Sequence, residues 1–491
     1  MFREGAKTDM KCFDVAVIGA GVVGSLLARE LTKYELSVAL IEAREDVATG
    51  ATSANSAIAH GGFDPVPGTL KAKLNVRGTQ MMPALTKELG VPYRANGSLV
   101  LAFSEDDMVS VRALYERGLQ NGVEGLSVLN AEELHELEPN VSGEAVGALR
   151  CTSAGIVCPY TLATAAAGNA VDNGAELFLS SPVTAIDKKD GIFCIRAGKQ
   201  VLHAKYVANC AGIFSDEIAR LVGNDSFCVK PRIGEYMLMD KSEGNLVSHT
   251  LFQVPSKMGK GILVTPTVHG NLLVGPTALD TEDKQDDATT REGLEFVKKA
   301  ATRSVACLNF RTVITSFAGV RSVPSEEDFI IRFSKWDNHF LHVAGIESPG
   351  LSASPAIAQY AAELLANEGL TLTENKQFDG SRKSYHWFSE LTMEEKNKVI
   401  AENPAFGRVV CRCETVTEGE IVEAIHRAPK ATTLDALKHR LRSGMGRCQG
   451  GFCTPLLTEI LARELGIDQT EVRKNTEHST LLVGRAKEVQ Q

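Results

Sequence analysis

Short apolar runs and helical periodicities alternate along the first third of the chain. Residues 13–18 and 37–41 are apolar runs of strand length, and residues 25–33 between them repeat apolar positions at helical spacing. A short strand pattern at 98–103 lies among further helical patterns at 70–89, 105–121 and 131–137. This alternation predicts an α/β domain that opens with a strand–helix–strand unit.

The middle of the chain is richer in strand patterns, which fall at 182–186, 191–196, 206–210, 261–265 and 271–274. Residues 229–280 hold several of these segments and no helical pattern, so they predict a second, β-rich domain inserted into the first. A strand at 340–344 and a helix at 349–368 return to the first domain. We therefore expect one large unit over residues 12–371.

The last quarter of the chain loses its strand character. Residues 372–407 are predicted to be a linker that contains a helix over 389–402, in which Thr392 and Glu395 have capping-box spacing. Residues 408–465 predict a small helical domain, with helices near 417, at 433–442 and at 454–465. Residues 466–491 are polar and predict a loosely held tail.

Composition narrows the class of protein. The chain has 491 residues and a net charge of −9, which disfavours a nucleic-acid partner. No apolar run is long enough to span a membrane and no secretory signal precedes the first strand, so a cytoplasmic protein is predicted. Peripheral membrane association stays open. Eleven cysteines are too sparse for a disulfide scaffold in a chain of this length.

A glycine fingerprint follows the first predicted strand. Gly19, Gly21 and Gly24 have the spacing that permits a tight turn, close approach of a pyrophosphate and close helix–strand packing. Glu42 ends the next strand, where a carboxylate can accept hydrogen bonds from ribose hydroxyls. The fingerprint predicts a dinucleotide site but does not separate NAD from FAD. The small, hydroxyl-rich loop 50–62 suits a chain that runs along an extended FAD.

Four cysteines near the C-terminus form two close pairs. Cys411 and Cys413 stand in a Cys-Arg-Cys-Glu segment, and Cys448 and Cys453 in Cys-Gln-Gly-Gly-Phe-Cys. Four thiolates bind an iron–sulfur cluster or a structural zinc ion, so both remain open on residue type alone. Either reading makes residues 408–465 a metal-binding domain.

The loop GATSANSAIAHGG (50–62), the segment GILVTPTVHGNLLVGPT (261–277) and AGIESPGL (344–351) resemble FAD-dependent glycerol-3-phosphate dehydrogenases and oxidases. These enzymes belong to the D-amino-acid-oxidase-like superfamily, and L-2-hydroxyglutarate dehydrogenases share much of the layout. The sequence segments around the four cysteines resemble the bacterioferritin-associated-ferredoxin type of [2Fe–2S] domain. The large subunit of the anaerobic glycerol-3-phosphate dehydrogenases has a similar [2Fe–2S] domain after a similar flavin domain. The resemblance implies a Rossmann-like FAD-binding domain, an inserted substrate domain and a small helical [2Fe–2S] domain, with the cluster on Cys411, Cys413, Cys448 and Cys453. It implies FAD contacts at Gly19, Gly21, Val22, Gly24, Glu42, Thr52, Ser56, Ala57, Ile58, Val183, Ala211, Gly212, Gly350 and Leu351.

The resemblance also implies roles at the substrate. His60 is implied to be the general base, because an imidazole can remove a hydroxyl proton near neutral pH. Arg321 matches the arginine that grips the substrate anion, and a guanidinium binds phosphate or carboxylate equally well. Ser56, Ser352 and Lys260 complete the expected substrate contacts, with Lys257 as the alternative to Lys260.

The expected reaction is oxidation of sn-glycerol 3-phosphate to dihydroxyacetone phosphate. Electrons would then pass from FAD through the cluster to a protein or quinone acceptor. One alternative is a dehydrogenase of L-2-hydroxyglutarate or another 2-hydroxy acid, since the substrate is a phosphorylated or a carboxylated alcohol. The other is a non-catalytic electron-transfer subunit.

Overall fold

The computed structural model describes residues 11–223, 226–254 and 261–484. Lys257 and Lys260, the two lysines expected near the substrate, lie outside the described residues. The strands are β1 (Cys12–Ile18), β2 (Val38–Ile41), β3 (Ile58–Ala59), β4 (Tyr93–Arg94), β5 (Ser98–Ala102), β6 (Leu126–Asn130), β7 (Gly147–Cys151), β8 (Gly155–Val157), β9 (Glu176–Phe178), β10 (Val183–Lys189), β11 (Ile192–Ala197), β12 (Gln200–Asn209), β13 (Val229–Met239), β14 (Thr250–Gln253), β15 (Leu263–Pro266), β16 (Leu272–Gly275), β17 (Leu279–Asp280), β18 (Val313–Pro324), β19 (Ile330–Phe333), β20 (Phe340–Ala344), β21 (Val409–Cys411) and β22 (Val416–Thr417).

The helices are α1 (Val22–Leu31), α2 (Leu70–Glu88), α3 (Glu105–Gln120), α4 (Ala131–Leu137), α5 (Pro159–Asp172), α6 (Ser215–Leu221), α7 (Arg291–Ser304), α8 (Gly350–Asn367), α9 (Trp387–Glu390), α10 (Met393–Glu402), α11 (Glu418–His426), α12 (Leu434–Leu441) and α13 (Thr454–Leu465).

A mostly parallel sheet forms the first domain. Its order is β10-β11-β12-β1-β2-β9, with β20 alongside the C-terminal half of β12 and β19 beyond β20. Parallel pairing joins β1 to β2 and to β12, so the ends of β1 and β12 lie at one edge, where nucleotide sites form in such sheets. Helix α1 packs against α5 and α8 over this sheet. The apolar faces of these elements make the largest buried core.

The inserted domain is built on a second, mainly antiparallel sheet. Its order is β17-β13-β16-β15-β14-β5-β7-β6, and the long strand β18 pairs with the full length of β13. Gly319 on β18 lies against the loop of the first domain that carries Ala54, because a Cβ at Gly319 would stand 1.9 Å from the Ala54 carbonyl oxygen. One face of the β13–β18 pair therefore covers the loop 50–58.

The C-terminal domain packs α11, α12 and α13 around its own apolar core, with the short β21–β22 pair beside it. Two capping boxes are formed. Thr392 and Glu395 make the one predicted in the linker, and Thr417 and Glu420 make the one at the predicted helix start near 417. The linker 372–407 is held against the first domain, where Arg382 forms an ion pair with Asp172 at 2.9 Å.

The segment after α13 is more firmly held than its polar sequence suggests. Val472 is buried in the C-terminal core, and the carbonyls of Arg473 and Lys474 accept hydrogen bonds from the first residues of α12. The predicted loose tail is therefore wrong for residues 472–474, because their backbone supplies acceptors that α12 uses. Among the described residues, no helix has the length and apolar character that crossing a bilayer requires. The predicted fold class is confirmed.

Candidate flavin and iron–sulfur sites

The three fingerprint glycines form a cradle at the end of β1. Gly19 has a φ of +102°, and a Cβ there would lie 2.5 Å from the Cys210 carbonyl oxygen. A Cβ at Gly24 would lie 1.9 Å from the Gly19 carbonyl oxygen, which is why helix and strand can approach so closely. A Cβ at Gly21, by contrast, would meet only the Thr52 hydroxyl at 3.4 Å. The backbone at Gly21 is thus open on the side where a pyrophosphate would lie.

Helix α1 begins at this cradle, and its N-cap residue provides no side-chain cap. Gly21 is its N-cap, its first turn carries no acidic side chain, and the Val22 N–H donates to the Thr52 hydroxyl at 3.0 Å. The positive end of a helix with no acid nearby attracts an anion. Val22, Gly24 and Thr52 thus lie together at this cradle, and their contact with FAD stays a prediction.

Glu42 lies at the end of β2 beside the same cradle. Its two carboxylate oxygens accept hydrogen bonds from the Ala20 N–H at 2.8 Å and the Arg44 N–H at 3.0 Å. Burial raises the pKa of Glu42. The backbone donors orient the carboxylate and leave lone pairs for the hydroxyls of a ribose.

The loop after Glu42 leads to His60. Ala57 takes a φ of 59°, and its carbonyl accepts a hydrogen bond from the Val157 N–H at 2.9 Å, after which Ile58 enters β3. Ser56 shares a hydrogen bond of 3.1 Å with the hydroxyl of Tyr236, which projects from β13 of the inserted domain. The two domains thus meet at Ser56.

The backbone of His60 is held on both sides. Its N–H donates to the Ser352 hydroxyl at 2.7 Å, and its carbonyl accepts from the Thr79 hydroxyl at 2.6 Å. Its imidazole ring lies 5.6 Å from the ring of Phe252, centroid to centroid. Because neighbouring elements hold the main chain, the side chain starts from a defined position.

Ser352 is fully buried near the start of α8. Its hydroxyl accepts from His60 and donates to the Ile58 carbonyl at 3.3 Å. The structure thus uses this hydroxyl to hold the strand that carries His60, and the substrate contact expected of Ser352 stays a prediction. Gly350 and Leu351 open the same helix, whose first turn has no acidic residue and no side-chain cap.

Arg321 lies on the face of β18 that covers the loop 50–58, which we call the flavin loop. The register pairs Tyr236 with Phe317 and Arg232 with Arg321, so these four side chains share one face. The Arg321 guanidinium donates to the Thr277 carbonyl at 2.9 Å. That bond uses one of its five N–H groups, so the remaining donors can bind an anion.

Three further expected FAD contacts lie at the start of β10 and just after β12. Val183 begins β10, beside a bulge in its pairing with β11. Ala211 and Gly212 follow β12, and Gly212 has a φ of +57°. The open backbone at Gly21, the uncapped starts of α1 and α8, and the oriented Glu42 carboxylate together fit an extended dinucleotide.

The four C-terminal cysteines are arranged as two pairs. The thiols of Cys413 and Cys448 are 3.8 Å apart, and those of Cys411 and Cys453 also interact directly. Within residues 11–223, 226–254 and 261–484, no three His, Cys, Asp or Glu side chains gather around a single metal position. Two pairs suit a cluster with two irons, each bound by two thiolates, better than one tetrahedral zinc ion.

Backbone amides point at these thiols. The Cys453 thiol lowers the pKa of Cys411 to about 6, with help from the N–H groups of Gly444 and Glu414. The N–H of Phe452 is the largest influence lowering the pKa of Cys448. Such donors stabilise anionic sulfur, which is what cluster ligands and bridging sulfides present.

Glycine is also required for close packing around the sulfur atoms. A Cβ at Gly446 would lie 2.2 Å from the Cys413 Cβ. The donor set and its glycine packing therefore fit the expected cluster.

A polar network joins the cluster domain to the other two domains. The Arg442 guanidinium donates to Glu414 at 2.9 Å, to Asn271 at 3.2 Å and to the Tyr160 hydroxyl at 3.4 Å. Buried Arg440 forms a two-bonded ion pair with Asp46, at 2.7 and 2.8 Å. Of these partners of Arg442, Asn271 and Tyr160 lie 171 and 282 positions away along the chain, and no local pattern in the sequence marks them.

Comparison with known proteins agrees with this geometry. The chain matches the family described as FAD dependent oxidoreductase over residues 14–364 and the BFD-like [2Fe-2S] binding domain over residues 409–463. A glycerol 3-phosphate dehydrogenase of Caloramator mitchellensis is 50% identical over 97% of this chain and 99% of its own length. The FAD-bound L-alpha-glycerophosphate oxidase of Mycoplasma pneumoniae superimposes with a TM-score of 0.73 at 33% identity, covering 76% of this chain and 99% of that chain.

A mitochondrial L-2-hydroxyglutarate dehydrogenase of Bos taurus is more distant, at 28% identity over 74% of this chain and 90% of its own length. The family matches confirm both predicted cofactors, FAD and a [2Fe–2S] cluster. The chain therefore belongs to the FAD-dependent oxidoreductase family and carries a BFD-like [2Fe–2S] binding domain at its C-terminus.

Proposed function

We propose that this enzyme oxidises the secondary hydroxyl of sn-glycerol 3-phosphate to give dihydroxyacetone phosphate. The observation that carries the proposal is the 50% identity to a glycerol 3-phosphate dehydrogenase across 97% of the chain, which includes both the flavin and the cluster domains. The more distant L-2-hydroxyglutarate dehydrogenase aligns with 74% of the chain. The phosphorylated alcohol is therefore favoured over the 2-hydroxy acid.

Two side chains near the flavin loop have separate roles in the reaction, one in proton removal and one in phosphate binding. FAD, when bound, supplies the hydride acceptor, and the cluster supplies single-electron transfer. His60 takes the proton of the substrate hydroxyl at a ring nitrogen, since imidazole suits proton removal near neutral pH. Arg321 binds the substrate phosphate with the guanidinium donors that Thr277 does not use.

Two further residues position these groups. Ser352 fixes the His60 backbone, and Tyr236 holds the Ser56 hydroxyl at 3.1 Å, at the point where the inserted domain meets the flavin loop. Lys260 or Lys257 would add a second cation near the substrate phosphate. The bound cluster would then pass electrons to an acceptor outside the chain. All eleven cysteines lie in the described residues and none of them forms a disulfide, which suits a reducing cytoplasm.

Anaerobic bleaching of the flavin tests the substrate. We expect sn-glycerol 3-phosphate to bleach the flavin rapidly and L-2-hydroxyglutarate to leave it oxidised. Bleaching by L-2-hydroxyglutarate alone would establish the 2-hydroxy-acid dehydrogenase instead. No bleaching by any small alcohol, in an enzyme that photoreduction still bleaches, would point to an electron-transfer subunit.

Substitution of His60 tests the base. His60→Gln should keep FAD and slow bleaching by roughly a hundredfold or more, the share that a positioned base contributes. His478→Gln is the matched control because His478 is exposed near the end of the described chain. Near-normal bleaching in His60→Gln would remove His60 from the proton step.

A further inference from the structure

The two thiol pairs of the cluster site differ in burial. Cys411 and Cys453 are each 2% exposed. Cys413 is exposed and Cys448 half-buried, and their thiols are 3.8 Å apart. The site thus has a buried inner pair and an outer pair at the protein surface.

Polar contacts link the inner pair to the flavin domain. The residues whose amides point at Cys411 are Gly444 and Glu414, and Glu414 accepts from Arg442. Arg442 in turn contacts Tyr160 of the flavin domain. With both cofactors bound, electrons from the flavin domain would enter on the inner side, and the outer pair would lie nearer to solvent.

The surroundings of the outer pair are aromatic and basic. Phe452, whose N–H points at the Cys448 thiol, has a side chain that is 84% exposed. Arg412 is exposed between the first two ligands, and Arg447, next to Cys448, has a side chain that is 73% exposed. We call Phe452, Arg412, Arg447 and the outer pair the outer face.

The charge of the outer face is opposite to that of the whole chain. Beside the outer pair, Arg412 and Arg447 are exposed and the nearby Glu414 is buried, whereas the whole chain has a net charge of −9. Exposed aromatic and arginine side chains are the types enriched where proteins bind one another. A basic patch around an electron exit attracts partners that carry acidic residues around their own redox centre.

We infer that the outer face is the docking site for an acidic protein that accepts electrons one at a time. The inference rests on the proposed function for its source of electrons. Each alcohol oxidised to a ketone releases two electrons and two protons, so two single-electron acceptors are reduced for each substrate. The protons pass to solvent through the base and the reduced flavin, and no other reactant is required.

A protein fits this face better than a membrane surface. Interfacial binding needs a broad apolar face or a cluster of several lysines and arginines. The outer face presents one exposed aromatic ring and two arginines, of which Arg447 is partly neutralised by Asp240 at 2.9 Å. That surface is small and mixed, as expected for a transient redox complex.

The test uses two protein probes of opposite charge with the full-length holoenzyme. Rubredoxin is a small acidic iron protein and cytochrome c is a basic haem protein, and both accept one electron. With the flavin reduced anaerobically by glycerol 3-phosphate, we expect rubredoxin to be reduced quickly at low ionic strength and more slowly at high ionic strength. Arg412→Glu should slow this reduction at least about fivefold. Phe452→Ser should slow rubredoxin reduction at both low and high ionic strength.

Lys199→Glu is the matched control, because it makes the same charge change at an exposed turn between β11 and β12. It should leave the rubredoxin rate unchanged, and the visible spectrum of the cluster should be intact in every variant. Equal rates in Arg412→Glu and Lys199→Glu, or faster reduction of cytochrome c by the unaltered enzyme, would overturn the docking site. Arg412-dependent sedimentation with phosphatidylcholine–phosphatidylserine vesicles would overturn it in favour of a membrane.

A wrong substrate and a wrong docking site give different results in these experiments. If glycerol 3-phosphate does not bleach the flavin, the substrate is wrong, and the flavin can be reduced by light before the probes are added. The rubredoxin comparison then still decides whether the outer face is the electron exit.

Discussion

Removal of the Asp46 carboxylate should release the cluster domain from the flavin domain. Arg440 on α12 has no exposed side-chain surface, Asp46 is 9% exposed, and two hydrogen bonds of 2.7 and 2.8 Å join them. Breaking a buried ion pair from one side costs about 3 to 5 kcal/mol, because the remaining charge is left buried. Arg440 keeps the carbonyls of Pro429 at 3.1 Å and Ala436 at 2.9 Å. We therefore expect Asp46→Ala to cost about 3 kcal/mol, the lower end of that range.

The assay is thermal unfolding of the holoenzyme, followed by the visible absorption of the cluster and by flavin fluorescence. If the cluster domain unfolds by itself, 3 kcal/mol corresponds to a Tm lower by about 12 to 24 °C for the cluster signal alone. If the domains unfold together, both signals should fall together by only a few degrees. Transfer of electrons from flavin to cluster should slow in the folded variant, while flavin bleaching by substrate should not change.

Two further variants make the result decisive. Glu363→Ala removes an exposed ion pair with Arg77, at 3.1 Å, and should change stability by less than about 1 kcal/mol. Asp46→Leu combined with Arg440→Met removes both charges and should recover most of the lost stability. If Asp46→Ala unfolds at the same temperature as Glu363→Ala, the ion pair does not hold the two domains together.

Three other outcomes follow from the same structure. Ser352→Ala removes the acceptor of the His60 N–H and should slow flavin bleaching roughly tenfold at unchanged FAD content, measured by anaerobic stopped flow. Gly446→Ala should prevent cluster assembly, because its Cβ would stand 2.2 Å from a ligand Cβ, whereas Gly143→Ala, with no atom within 4 Å, should keep full iron content. Burial lowers the pKa of His439 to about 4 in the folded protein, so the unfolded state, with a pKa of about 6.5, binds the extra proton as the pH falls. Stability should therefore fall between pH 6.5 and 4 by up to about 1.4 kcal/mol per pH unit, and His439→Phe should remove this share of the loss in urea titrations at each pH.

Local patterns in the sequence were enough to predict most elements near their observed bounds. The helix at 131–137 and the strand at 340–344 have the predicted limits. The helix start near 417 is also observed. These features depend on contacts between residues a few positions apart, which a single sequence displays directly. Strand β12 is an exception: it begins at Gln200 rather than 206, because its pairing with β11 extends it through exposed residues that carry no apolar pattern.

The cofactors were also predictable from the sequence. The fingerprint from Gly19 to Gly24 and the cysteine pairs are compact segments whose residue types restrict the chemistry they can perform. The sequence segments around these motifs resemble known families, and that resemblance favoured FAD over NAD and a [2Fe–2S] cluster over zinc. The family matches confirm both cofactors.

Only the tertiary structure decided how the separate segments act together. Ser352 supports His60 across 292 positions of the chain, Tyr236 reaches Ser56 across 180, and Arg440 pairs with Asp46 across 394. No local pattern marks such partners, because each depends on which elements the sheets and helices bring side by side. The sequence by itself thus determined the two redox groups. The packing of three domains determined which pair of cysteines faces the flavin domain and which faces solvent.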